Sequence, residues 1–112
     1  YLEWVREPNS WLLFAQRVAD AGVVGYLVLR LLPSGASWEI GDTIATIESL
    51  AVADQERGRG TGTALVEHAR GICRVKGITH WAVEVVDANE AALRMYRRSG
   101  FRPYYQLLLG EI

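Results

Sequence analysis

At 112 residues the chain can build one hydrophobic core but not two. Half of it is hydrophobic and 22% is charged, which excludes a disordered segment. A formal net charge of −1 gives no global pull toward nucleic acid or an anionic membrane, and the single cysteine, Cys73, excludes an internal disulfide and a cysteine-rich metal site.

A lone thiol fits a reducing, cytoplasmic setting. No apolar run is long enough for a membrane span. The start, Tyr1-Leu2-Glu3-Trp4, lacks both a signal-peptide pattern and an initiator methionine. The expectation is one domain over residues 1–112, truncated at its N-terminal side.

Tyr1 to Ser10, broken by Pro8, reads as the tail of a helix. Trp11 to Ala19 and Val23 to Leu32 read as two strands joined at Asp20-Ala21-Gly22, an antiparallel hairpin. Both are apolar at nearly every position, which predicts burial on two faces. Pro33 to Asp42 is a loop, and Trp38 within it packs at a core edge or caps a pocket. Thr43 to Val52 is the third strand.

Thr63 to Lys76 reads as an amphipathic helix with Leu65, Ala69, Ile72 and Cys73 inward, stopped by Gly77. Ile78 to Val86 is a fourth strand. A crossover helix should make it parallel to the third. Asn89 caps a second helix that ends at Gly100, with Leu93 and Tyr96 on its inner face. Tyr104 to Ile112 is a last strand.

The stretch richest in chemistry is Arg57-Gly58-Arg59-Gly60-Thr61-Gly62, between the third strand and the first helix. Glycines at alternate positions allow a tight turn and close backbone approach to a ligand. Amides at a helix mouth suit phosphate. A P-loop would need Gly-Lys-Ser/Thr, and this loop has no lysine. A dinucleotide fold would open on its first βαβ unit with Gly-x-Gly-x-x-Gly. Here the third glycine comes one place early and earlier strands precede it, although Glu84 lies at the right distance for a ribose-binding acid.

Arg57-x-x-Gly60-x-Gly62 resembles the Arg/Gln-x-x-Gly-x-Gly/Ala signature of the GNAT family of acetyl-CoA-dependent N-acetyltransferases. Ile47 to Val52 sits where that family has its pantetheine-binding strand. Asn89 to Phe101 resembles its second signature, Asn-x-x-Ala-x-x-x-Tyr followed by Gly-Phe. The resemblance covers roughly Val23 to Tyr105.

The resemblance implies an α/β fold of the α+β type. Its sheet is mixed and mostly antiparallel, with a central parallel strand pair flanked by helices and the family's N-terminal strand and helices missing. It implies acetyl-CoA as co-substrate. Arg57, Gly58, Arg59, Gly60, Thr61, Gly62 and Thr63 would hold its diphosphate. Backbone of Leu50, Ala51 and Val52 would hold its arm in a gap between splayed third and fourth strands, and Asn89 would contact the arm. The Leu50 amide would polarise the thioester carbonyl.

A primary amine of a small molecule, peptide or protein would be the acceptor. A lysine-like amine, with a pKa of about 10.4, needs a base. Glu48 is the first candidate and Glu84 the second. Tyr96 matches the general-acid position for the leaving thiolate. Cys73 lies on the apolar helix face, so transfer is expected to be direct. His68 and His80 lack metal-ligand spacing, so no metal is expected. Exposed apolar strands also suit a homodimer. The alternative class is a non-catalytic acyl-CoA-binding module with a sensing or structural role.

Overall fold

Alternate positions of three neighbouring strands turn to one side of a sheet and close over one helix. The computed structural model describes residues 2–33 and 43–112, and of residues 2–7 the backbone path. Trp38 lies outside the described residues. The strands β1 (Leu2–Glu7), β2 (Ser10–Gln16), β3 (Val23–Pro33), β4 (Thr43–Val52) and β5 (Trp81–Val83) form one sheet in chain order. The first three junctions are antiparallel and β4–β5 is parallel. Among the described residues, helices α1 (Thr61–Val75) and α2 (Glu90–Arg98) complete the fold, with a 3-10 turn at Asp54–Glu56.

The mixed sheet expected from the sequence is present, with its parallel pair at the margin. The segment read as a helix tail is instead strand β1, paired with β2 from Leu2↔Phe14 to Glu7↔Ser10. Pro8 cannot sit inside a helix, and with Asn9 it makes the turn that returns the chain. The expected hairpin is β2–β3. Its turn is closed by Arg17 N–H to the Gly22 carbonyl at 2.8 Å. The Asp20 carboxylate accepts from Gly22 N–H at 2.9 Å and Arg17 Nε at 3.1 Å.

One face of the hairpin is sealed and the other is not. Leu13, Leu27, Leu29, Ala45 and Ile47 are buried against Leu65, Val66, Ala69 and Cys73 of α1. Full burial of each large side chain is worth about 1.5–3 kcal/mol. Leu12, Phe14 and Val28, on the opposite face, are only half-buried, and Tyr26 stays 37% exposed. A run of apolar residues therefore did not mean burial on two faces. Among the described residues, only one face has a helix over it.

The expected fourth strand, Ile78 to Val86, shrinks to Trp81–Val83. Its ladder with β4 runs only Ala45↔Trp81, Thr46↔Ala82 and Ile47↔Val83. The cause lies in β4. Its register with β3 shifts between Val28↔Ser49 and Leu29↔Ile47, leaving Glu48 as an extra residue. Such a bulge bends and twists the strand that carries it, and here it takes β4 away from β5.

Helix α1 begins at Thr61, two residues earlier than expected, and Gly77 stops it at φ 74°. Asn89 caps α2 as expected, its Oδ1 accepting from Ala92 N–H at 3.2 Å. The inner face of α2 is Ala92, Met95 and Tyr96 rather than Leu93 with Tyr96. The last strand, Tyr104 to Ile112, is not formed. A strand exists only by pairing, and a three-residue β5 offers it little edge. Its Leu107, Leu108 and Leu109 remain 84–99% exposed.

Candidate active site

Beyond Ile47 the two parallel strands part, and β4 runs on to Val52 with no β5 partner. Ala53 N–H bonds to the Val24 carbonyl at 2.8 Å, on the β3 side. Backbone groups alternate along a strand, so Ala51 and Ser49 also face β3. Leu50 and Val52 then turn their N–H and C=O into the gap. These are two of the three strand residues expected to hold an acyl carrier's arm. Ala51 contributes its backbone to the sheet instead.

The gap ends at the glycine loop. Gly58 and Gly60 adopt φ 80° and 81°, a conformation that favours glycine. Gly60 is the N-cap of α1 and no side chain caps it. The first amides of a helix have no intrahelical acceptor. Those of Thr61, Gly62 and Thr63 therefore offer free donors where the helix dipole is positive. A Cβ at Gly60 would meet nothing within 4 Å. Its site is open to a ligand, and the turn rather than crowding requires the glycine.

Gly25, which the sequence reading passed over, holds this loop against the sheet. A Cβ there would lie 3.0 Å from the Ala51 carbonyl oxygen and 3.5 Å from Thr61 Cγ2. A bare backbone on β3 lets the start of α1 approach β4.

Both loop arginines are exposed and paired. Arg57 lies 3.3 Å from Asp54, and Arg59 lies 3.9 Å from Glu56. Arg17, from the β2–β3 turn, reaches the other Glu56 oxygen at 4.0 Å. Arg17, Glu56 and Arg59 border a cleft of about 410 Å³ beside the first turn of α1. The acids offset the arginine charge, so the amides are the stronger anion donors here. Arg17 carried no sequence signal, since only folding brings the hairpin turn to the loop.

Tyr96 is 7% exposed, with Phe101 edge-on at 5.5 Å. Burial raises its phenol above the ordinary value, so it stays protonated at neutral pH. Among the described residues no buried side-chain polar atom lacks a partner, and none of them bonds the Tyr96 hydroxyl. That hydroxyl therefore reaches the molecular surface.

Arg70, also missed in the sequence, clamps this corner. It donates to the Ser99 carbonyl at the end of α2 and to Glu67 at 3.2 Å, and its guanidinium lies 5.0 Å from the centre of the Trp81 ring. Arg70→Ala should cost about 1.5–3 kcal/mol, as for a lost charged hydrogen bond, and loosen α2. Chemical denaturation against the parent chain would measure it.

Glu48 and Ser49 both leave the α1 face, because a bulge places two successive residues opposite one partner. Glu48 pairs with Arg30 at 3.2 Å, and Ser49 Oγ donates to Tyr26 Oη at 3.3 Å. Ile47 and Leu50, on either side of them, join the core. Glu84 is exposed, one residue past the end of β5. Cys73 is buried, and burial pushes its thiol up, away from the reactive thiolate. His80 Nδ1 lies 2.9 Å from Thr79 Oγ1. No helix among the described residues is long and apolar enough to cross a membrane.

A mixed sheet that opens beside a glycine-capped helix suits a protein that binds a phosphorylated acyl carrier. The model of the acetyltransferase (GNAT) family matches residues 1–101, and the chain belongs to that family. It is 34% identical to the streptothricin acetyltransferase of Streptomyces lavendulae, over 74% of this chain and 40% of that protein. It is 31% identical to the L-2,4-diaminobutyric acid acetyltransferase of Nocardia farcinica, over 86% of this chain and 46% of that protein. The chain thus spans less than half the length of these curated relatives. The solved structure of AAC(6')-Iy in complex with the bisubstrate analogue CoA-S-monomethyl-acetylneamine shares the fold with a TM-score of 0.83. Identity there is 14%, over 96% of this chain and 71% of that one.

Proposed function

We propose that the chain is one N-acetyltransferase domain that moves the acetyl group of acetyl-CoA to a primary amine by direct attack. The observation that carries this is the parting of β4 from β5 beyond Ile47. It leaves the Leu50 and Val52 edge free and leads to the uncapped amides of α1. Residues 57–63 take the diphosphate at those amides, with Arg57 and Arg59 adding charge once they release their acids. Leu50 and Val52 pair with the amide groups of the pantetheine arm as another strand would. Asn89 uses Oδ1 for its cap, which leaves its amide N–H groups for the arm.

In the reaction, Glu48 takes one proton from the incoming ammonium group, directly or through water. The neutral nitrogen attacks the thioester carbon, and the Leu50 N–H receives the developing oxyanion. The C–N bond forms and the C–S bond breaks. Tyr96 donates to the departing thiolate, and the second amine proton ends on sulfur. Free coenzyme A and an amide leave, and the Glu48 proton passes to solvent.

The named relatives favour a small-molecule amine as acceptor over a peptide or protein. The same reading places the chain in the cytoplasm, where Cys73 stays reduced. The exposed Leu107–Leu109 run favours a homodimer. Leu108→Asp should then shift the chain to monomer in sedimentation analysis, with little change in folding.

The Arg30–Glu48 pair favours one rival, a non-catalytic acyl-CoA-binding module, since it occupies the base candidate. A panel of amines and peptides with acetyl-CoA, scored by free thiol, decides between them. Turnover of any amine supports the enzyme. Tight coenzyme binding by calorimetry without turnover supports the binding module.

A further inference from the structure

The Tyr26–Ser49 hydroxyl pair sits outside every role assigned so far. It lies on the face of the sheet left open by α1, and Ser49 stands next to both Glu48 and Leu50. Tyr96, in contrast, belongs to the core cluster beneath α1 and beside Phe101. The leaving sulfur is therefore served from the helix side. Among the described residues no helix covers the opposite face, where Tyr26 is 37% exposed, and this is the face an acceptor would approach.

Ser49 Oγ and Tyr26 Oη lie 3.3 Å apart, within hydrogen-bond reach. Whichever hydroxyl donates, Ser49 keeps a lone pair with which to accept. A neutral amine needs such a partner. Its lone pair must aim at the thioester carbon, so its N–H bonds must be held from behind. Glu48 supplies one acceptor through the oxygen that has not taken the ammonium proton, and Arg30 holds its side chain in place at 3.2 Å. Alternation alone would put Ser49 and Glu48 on opposite faces. The bulge brings both to this one.

The geometry points to Ser49, polarised by Tyr26 and set beside Glu48, as the seat that orients the acceptor amine toward the gap at Leu50. Ser49 touches the amine, and Tyr26 is a positioning residue that acts through it. This rests on the acetyl transfer proposed above.

The test measures steady-state kinetics with acetyl-CoA and two probe amines, L-2,4-diaminobutyric acid and streptothricin. Ser49→Ala should lower kcat/KM for the amine about tenfold, as one lost hydrogen bond predicts. The KM for acetyl-CoA and the melting temperature should stay put. Ser49→Thr keeps the hydroxyl and should restore most of the rate. Tyr26→Phe should lose about threefold. The double variant should be no worse than Ser49→Ala, because the two act as a unit.

An active parent whose Ser49→Ala variant keeps its amine kcat/KM overturns the seat alone. Additive losses in the double variant overturn the role of Tyr26. A parent that binds acetyl-CoA yet acetylates neither amine overturns the seat, and the wider amine panel then decides the fate of the transfer reading separately.

Discussion

Replacing Tyr96 by phenylalanine should lower turnover by roughly 10²–10⁴-fold and leave acetyl-CoA binding intact. The ring packs edge-on against Phe101 within the core, and phenylalanine keeps that contact. The deleted hydroxyl has no bonding partner among the described residues, so the fold should lose little. What disappears is a proton held in place. Burial raises the phenol above its usual pKa of about 10, while a thiol titrates near 8.5. On the proposed mechanism Tyr96 lends its O–H to the thiolate as a hydrogen bond in the transition state, and sulfur gains its final proton from the amine. Loss of an interaction made only there should reduce kcat and kcat/KM alike. An unchanged rate, at unchanged melting temperature, would remove Tyr96 from the chemistry.

Leu50→Pro should cost about 10²–10³ in kcat, the usual effect of losing one oxyanion donor. Proline lacks the N–H that Leu50 turns into the gap. Proline is tolerated where a strand's N–H faces outward, as it does here beyond the last β4–β5 pair. The Leu50 side chain, partly buried against the core, is also trimmed, so a modest drop in melting temperature is expected. Ala51→Pro is the contrasting variant. Its N–H faces β3, opposite Tyr26, and its loss should break the ladder and unfold this part of the sheet. A Leu50→Pro chain that folds, binds acetyl-CoA and keeps full kcat would show that the oxyanion sits elsewhere.

Much of the site could be read from the residues because its signals are local. Gly58 and Gly60 occupy the positive-φ turn, and Asn89 caps α2 with its own side chain. Each of these depends on a few neighbours in the chain. Tyr96 was legible from helical spacing, although its inner partners proved to be Ala92 and Met95 rather than Leu93. The misses were long-range. Residues 2–7 became a strand because β2 was there to pair with them. The tail after Tyr104 did not, because β5 ends after three residues. Gly25, Arg17 and Arg70 act across elements that only the fold brings together.

Residue identity alone determined that the chain would turn on glycines, start a helix with bare amides and carry a tyrosine on an inward face. Tertiary structure alone decided which face of the sheet Glu48 and Ser49 share. Period-two alternation would have put Glu48 and Ser49 on opposite faces, one of them beneath α1. The register between β3 and β4 left one residue over, and that turned Glu48 and Ser49 together to the open side. A strand's alternation is a property of its own backbone, whereas a bulge is set by the partner it must match.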